Sequence, residues 1–306
     1  MSHAIVYGAL RSGSTMLRLM LDGHSALSCS GEHDFLFDHL HRRGPDWEYD
    51  LDGLRSDRIF LAQDLDLPDV TDGAAALAQL LSQILAKGQK TCSVLMLHRG
   101  LDKAVALMPD APIIHLLRDP RDVARSWVAM GWHGNPYCAV EGWIATEQLW
   151  STVARDLREA PVDLRYERLL ADPEGELGRC CALLGIDYEQ SMLSYDASST
   201  YHAPDPSLAE QWRRKMPLQD LRLVEARLGD LLAARGYSSS GEPPLEVTKT
   251  QDIYLNLNDF VGRWRHLIGR YGLLPVQRGF GRRLNIKSLQ TSAQRRMDVI
   301  TKRYLR

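Results

Sequence analysis

The sequence predicts an α/β protein built on a doubly wound parallel sheet flanked by helices, followed by a basic helical C-terminal extension. Three observations carry that reading. Short apolar runs rich in β-formers alternate with helical patterns as far as Leu184. A glycine-punctuated loop, GALRSGST (Gly8–Thr15), joins the first run to the first helix. Beyond that the charge changes: residues 260–306 hold twelve Lys/Arg against one acid, Asp298, so a net charge of −2 leaves −13 on residues 1–259.

In chain order, His3 to Tyr7 reads as a buried strand closed by Gly8, and Thr15 to Leu21 as a helix ending near Gly23. Ala26 to Cys29 is a second apolar run. Residues 44–73 are acidic and proline-punctuated with weak periodicity, which predicts an insertion over the sheet edge. Cys92–Leu97 and Ile113–Leu117 are the next strands, then Val162–Tyr166, followed by a helix from Glu174 to Leu184 with Gly185 at its end. Helices dominate after Gln211, and Ser238–Pro244 is a linker. The division this predicts is an α/β domain over 1–244 with the 44–73 insertion, and a basic helical extension over 245–306.

A hydrophobic fraction of 44% with 25% charged residues fits a soluble globular protein. The five cysteines are odd in number and form no C-x-x-C pair, the pattern of reduced thiols in a cytosol. No run approaches the roughly 18 apolar residues of a membrane span, and the N-terminus lacks the marks of a signal peptide. The expected location is cytoplasmic. The histidines and acids between His24 and His41 contain no H-E-x-x-H, with His39 and His41 read on a helix, so no metal is expected.

GALRSGST departs from the phosphate-binding pattern G-x-x-x-x-G-K-[ST] at one position, where Ser14 replaces lysine. A strand–loop–helix turn aims backbone N–H groups and the helix dipole at one spot, which suits an anion. Gly13 admits close approach, Ser12, Ser14 and Thr15 add hydroxyls, and Arg11 supplies a planar cation. Without the lysine that reaches the β and γ phosphates, the ligand is anionic but need not be a triphosphate. A P-loop kinase or NTPase is the rival reading, and Ser14 speaks against it. A second anion site is predicted where Arg118 ends a strand and Ser126 follows eight residues later. Two such sites on neighbouring strand ends fit a bis-phosphorylated ligand.

GALRSGST and, about a hundred residues on, LLRDPRDVARSW resemble the 5′-phosphosulfate and 3′-phosphate motifs of sulfotransferases that use 3′-phosphoadenosine 5′-phosphosulfate (PAPS). The similarity is closest to the tyrosylprotein sulfotransferase branch and its bacterial relatives. RSGSTMLRLMLDGH with its downstream GEH, LRYERLLADPEGEL, QWRRKMP and GYSSSGEPP agree with that family in order, over roughly residues 4–244. The resemblance implies PAPS as co-substrate without a metal, with Arg11, Ser12, Gly13, Ser14 and Thr15 on the 5′ side and Arg118 and Ser126 on the 3′-phosphate. It also implies Tyr166 near the nucleotide and Lys215 on a closing loop. Glu32 takes the position of the general base. His98-Arg99-Gly100 stands where the family often has Lys-Thr-Pro or Lys-Asp-Pro. Either His98 or Arg99 then supplies the cation for the transferring group, or His98 is the base, with Glu32 put ahead. Arg11, Arg99 and the loop amides would stabilise charge on the bridging oxygen. The implied acceptor is a hydroxyl on a sugar, a peptide tyrosine or a small molecule. A catalytically inactive nucleotide-binding protein of the same fold is a further alternative. The basic tail is read as a packing or homo-oligomer contact, and no nucleic acid is expected.

Overall fold

The computed structural model describes residues 2–195, 203–284 and 286–304. Its elements are β1 (His3–Tyr7), α1 (Ser14–Asp22), β2 (Leu27–Ser28), α2 (Phe35–Asp38), β3 (Leu40–Arg43), β4 (Asp46–Tyr49), α3 (Leu51–Ser56), α4 (Arg58–Gln63), α5 (Gly73–Gly88), β5 (Cys92–Leu97), α6 (Leu101–Leu107) and β6 (Ile113–Leu117). Then follow α7 (Pro120–Ala129), α8 (Pro136–Ala139), α9 (Glu141–Val153), β7 (Val162–Arg165), α10 (Tyr166–Ala171), α11 (Pro173–Leu183), α12 (Trp212–Lys215), α13 (Leu218–Leu228), α14 (Leu231–Ala234), α15 (Lys249–Tyr271), α16 (Leu274–Arg283) and α17 (Lys287–Tyr304). By internal contacts the chain divides into one unit of residues 1–123 and 142–215 and a second of residues 124–141 and 216–306. The boundary drawn from motif and charge at 244/245 falls inside the second unit.

The first unit is organised by a five-stranded sheet of order β2-β5-β1-β6-β7 in which every pairing is parallel. Parallel strands are covered on both faces, and this is why β5 and β6 read as unbroken apolar runs. Alternate residues serve opposite faces. Ala4, Val6, Val94, Met96, Ile114 and Leu116 pack with Leu17, Met20 and Leu21 of α1 and Leu177 and Cys180 of α11. Ile5, Tyr7, Leu95 and Leu97 pack with Leu77, Leu80 and Ile84 of α5 and with Trp150 of α9. All five cysteines are buried and free. Because the strands run one way, the loops leaving β1, β2, β5 and β6 gather on one rim, the usual place for a ligand in such sheets.

Two local expectations are corrected. Tyr166 does not extend the last strand; β7 stops at Arg165 and Tyr166 opens α10. Within the 44–73 stretch, β4 pairs with the preceding β3, α3 and α4 follow, and Tyr49, Leu54 and Phe60 enter the second core cluster. The acidity of the stretch is local capping chemistry: Asp50 accepts from Gly53 N (2.9 Å), Asp57 from Ile59 N (2.7 Å) and Asp72 from Ala75 N (2.8 Å), each closing a helix start. The helix expected across His39 and His41 ends at Asp38; His39 is held by Asp57 at 3.2 Å and His41 lies on β3.

Beneath the sheet, buried His115 lies against the Trp150 ring (centroids 3.9 Å) with Nδ1 2.8 Å from Asp163 and Nε2 3.2 Å from Glu147. Burial works against its charging, but the hydrogen bonds to both carboxylates and their charges outweigh it and raise its pKa above the ordinary value of about 6.5. A raised folded-state pKa adds stability that is complete below pH about 6.5 and is lost as the pH rises through the raised value. The stability gap between wild type and His115→Gln in denaturant titrations should therefore be widest near pH about 5.5 and shrink toward pH about 9. A gap that grows with pH would contradict the assignment.

In the second unit α8 starts at Asn135, whose side chain accepts from Cys138 N at 2.9 Å, and α13 and α14 follow. After a stretch without helix or strand, in which Glu225 accepts from Ser240 N at 2.8 Å, α15 opens with a reciprocal Thr248/Gln251 capping box. Helices α16 and α17 bury Ala293 and Met297, so the basic extension is helical as expected. Among the described residues no helix is long and apolar enough to cross a membrane.

Candidate active site

The loop after β1 turns through two residues in the left-handed region, Arg11 (φ 72°) and Gly13 (φ 96°). Gly13 is obligatory there for a second reason. A Cβ on it would lie 2.3 Å from Cδ2 of Tyr166, so the ring sits flat against the loop. Helix α1 begins directly after, and no side chain caps its first N–H groups and no acid stands in its first turn. Its amides and dipole are therefore directed at the rim. Ser12 is fully buried and its Oγ has no hydrogen-bond partner.

Arg118, at the end of β6, completes the cradle. Its Nη1 donates to the Arg11 carbonyl at 3.0 Å, its guanidinium carbon lies 4.2 Å from the Tyr166 ring centroid, and Trp143 Nε1 donates to its carbonyl at 3.1 Å. The Nε of Arg118 is buried and unpartnered. Two buried polar hydrogens beside an uncapped helix start are what an anionic group would satisfy, so these residues fit a phosphate-bearing ligand. Tyr166, misplaced by the strand reading, is brought to the loop by α10.

On the other side of β1, Glu32 follows β2 and bridges to Met96 of β5. Its carboxylate lines a cavity of about 250 Å³ with Ser14, Thr15, Arg18, Ser30, Gly31 and Met96. Arg18 was not foreseen; three residues beyond Thr15, it shares that residue's helix face. Its Nη1 also donates to Cys29 O at 3.3 Å. His98 is buried at the end of β5, with Nδ1 2.7 Å from the Gly8 carbonyl and Nε2 3.8 Å from Glu32 Oε1. A carbonyl can only accept, so Nδ1 carries the hydrogen there, and Nε2 is turned toward Glu32. Nε2 has no hydrogen-bond partner.

Arg99 is placed differently from the free cation the sequence suggests. It forks onto Asp38 (Nε–Oδ1 2.7 Å, Nη2–Oδ2 2.5 Å) and reaches Asp34 at 3.4 Å. Asp34, buried, accepts the His98 and Arg99 amides at 2.7 and 3.2 Å and so fixes the turn that presents His98. Burial raises its pKa against the pull of His98 and Arg99. Among the described residues Glu32, Asp34 and His98 bring ligand-type atoms within 4.8 Å of one another. The Arg99 guanidinium on Asp34 opposes a cation there. Neighbouring His33 is held down to a pKa of about 4 by burial and stays neutral.

The RDPRD segment also has a structural use. Asp122 accepts from the amides of Gln211 (3.0 Å) and Trp212 (2.8 Å), and Arg121, paired with Asp119, lies over the Trp212 ring at 3.6 Å. This fixes the start of α12, whose exposed Lys215 donates to Gln211 Oε1 at 2.9 Å. Ser126 lies in the second unit, on α7.

The glycine loop and uncapped helix start stand at the end of β1, with Glu32 and His98 beside the end of neighbouring β5. The sequence profile of the sulfotransferase family matches residues 4–190, more than half the chain, and the chain belongs to that family. It is similar to a Caenorhabditis briggsae protein named, provisionally, a protein-tyrosine sulfotransferase, with 23% identity over 277 residues covering 81% of this chain and 94% of that one. Of solved structures, the sulfotransferase domain of the Synechococcus PCC 7002 olefin synthase matches with TM-score 0.58 and 23% identity over 75% of this chain and 95% of that one. The sulfotransferase domain from the curacin biosynthetic pathway matches with TM-score 0.57 and 21% identity over 78% and 99%. At these identities the structures establish a shared fold.

Proposed function

We propose that the chain is a PAPS-dependent sulfotransferase that moves a sulfuryl group to an acceptor hydroxyl by in-line displacement. The observation that supports this most is the shared cavity: the Glu32 carboxylate opens onto the same space as Ser14 and Thr15, at the start of the uncapped α1. Ser14 in place of lysine, and the orphaned Ser12 Oγ and Arg118 Nε, favour a donor without a γ phosphate.

In this reading the loop amides, Arg11, Ser12, Gly13, Ser14 and Thr15 bind the 5′ end. Tyr166 and Arg118 flank the nucleotide, Ser126 takes the 3′-phosphate by resemblance, and Lys215 closes from α12. Glu32 accepts the proton of the attacking hydroxyl as the new O–S bond forms and the bond from sulfur to the bridging oxygen breaks. His98, with Nε2 3.8 Å from Glu32, orients that carboxylate. Arg11 and the α1 amides stabilise charge on the departing 3′,5′-ADP, while Arg99 holds Asp34 and Asp38 in place. Five free, buried cysteines support a reducing, cytoplasmic setting.

The test is transfer from sulfur-labelled PAPS to a panel of tyrosine peptides, sugars and small alcohols. Tyrosine peptides come first, on the relative's name. Label should reach one acceptor class and do so undiminished in EDTA. Absence of transfer to every acceptor, or an absolute metal requirement, would contradict the proposal.

A further inference from the structure

Helix α15 is built the wrong way round for an isolated chain. Its inward side is polar or small. Asp259, 4% exposed, accepts from Gly134 N at 2.7 Å and His133 Nδ1 at 3.1 Å, and Asn135 Nδ2 donates to Leu255 O at 2.8 Å. Gly262 meets Gly134 so closely that a Cβ on it would lie 2.5 Å from the Gly134 Cα. The large apolar side chains face outward instead: Ile253 is 68% exposed, Leu257 60%, Phe260 53%, Val261 46% and Ile268 41%.

The spacing of that outward face is regular. Exposed Ile253, Leu257 and Phe260 are followed by half-buried Trp264, Leu267 and Tyr271 at alternating steps of four and three residues across the 23-residue helix. Such a repeat makes a seam that faces another helix along its length, whereas a wider apolar sector is what rests on a lipid surface. Val261 and Ile268 broaden the seam on one flank, and Arg263 and Arg270 line the other, where their stems can cover it. Charge does not oppose self-association, because Arg263 is neutralised by Asp259 at 2.9 Å and most of the basic excess lies beyond α15. An aromatic side chain presents roughly 150–250 Å² and the aliphatic ones here somewhat less, so the exposed fractions leave roughly 400–550 Å². That is more than half of the ~800 Å² each partner contributes to a standard interface.

We propose that the outward face of α15 is the contact surface for a second copy of this chain, packed helix to helix along this seam. Analytical ultracentrifugation of the full chain tests it. The wild type should sediment at twice its mass of 34.5 kDa. The double variant Leu257→Glu/Phe260→Glu should be monomeric with unchanged helical content. The milder pair Leu257→Ala/Phe260→Ala should raise the dissociation constant at least about tenfold. Leu61→Glu, an exposed position on α4, should leave the dimer intact. Three results would overturn the proposal: a wild type that stays monomeric, a dimer that survives both double variants, or a monomer whose α15 face instead binds anionic vesicles.

Discussion

Glu32→Gln should lower kcat for sulfuryl transfer by about 10²–10⁴-fold and leave 3′,5′-ADP affinity unchanged. The amide has the size of the carboxylate but cannot take a proton, and Glu32 touches the cavity rather than the cradle formed by Arg118 and Tyr166. Its partner gives the comparison that makes the result decisive. His98→Asn keeps a donor where Nδ1 meets the Gly8 carbonyl at 2.7 Å and removes Nε2, 3.8 Å from Glu32. If His98 only orients Glu32, His98→Asn costs less than Glu32→Gln. A larger loss for His98→Asn than for Glu32→Gln would exchange the two roles.

Arg118→Met should weaken 3′,5′-ADP binding by roughly 10- to 100-fold, the value of one hydrogen bond to a charged group. The thioether still packs on Tyr166, so the loss isolates the guanidinium, which ties down the Arg11 carbonyl at 3.0 Å and carries the buried, unpartnered Nε. Arg11 is a non-glycine residue at φ 72°, a conformation that surrounding contacts must enforce. Arg118→Lys should not restore affinity, because a point charge replaces a planar fork that bonds and stacks at once. Calorimetry reads the affinity, and an unchanged melting temperature separates it from misfolding. Normal binding by Arg118→Met would remove Arg118 from the site.

The parts of this architecture that were legible in the sequence are those whose signal is local. β1, β5 and β6 are continuous apolar runs because both faces of a parallel sheet are covered, and the GALRSGST loop announces a strand-to-helix turn by its glycines. Tyr166 was placed on a strand because Val162–Tyr166 continues the β pattern, and nothing nearby signals that the helix starts one residue early. The 44–73 elements were hidden because Tyr49, Leu54 and Phe60 sit in separate short elements, one core residue apiece, leaving no period to read. Around the candidate site, Glu32, Arg118 and Tyr166 were named from their motifs. The role of Asp34 and Asp38 was not, since each meets Arg99 across more than sixty residues. The orientation of His98 was equally out of reach, being set by a carbonyl 90 residues away. The 4-3 spacing of α15 is in the sequence, but only burial shows that the apolar side faces out.

The cradle should select a nucleotide with a 3′-phosphate and no γ phosphate. Calorimetric titration of the purified chain with 3′,5′-ADP, AMP and ATP tests it most directly. The 3′,5′-bisphosphate should bind at least about tenfold tighter than either of the others, as one well-made charged contact requires. ATP binding as tight as 3′,5′-ADP, with AMP showing no penalty for the missing 3′-phosphate, would contradict it.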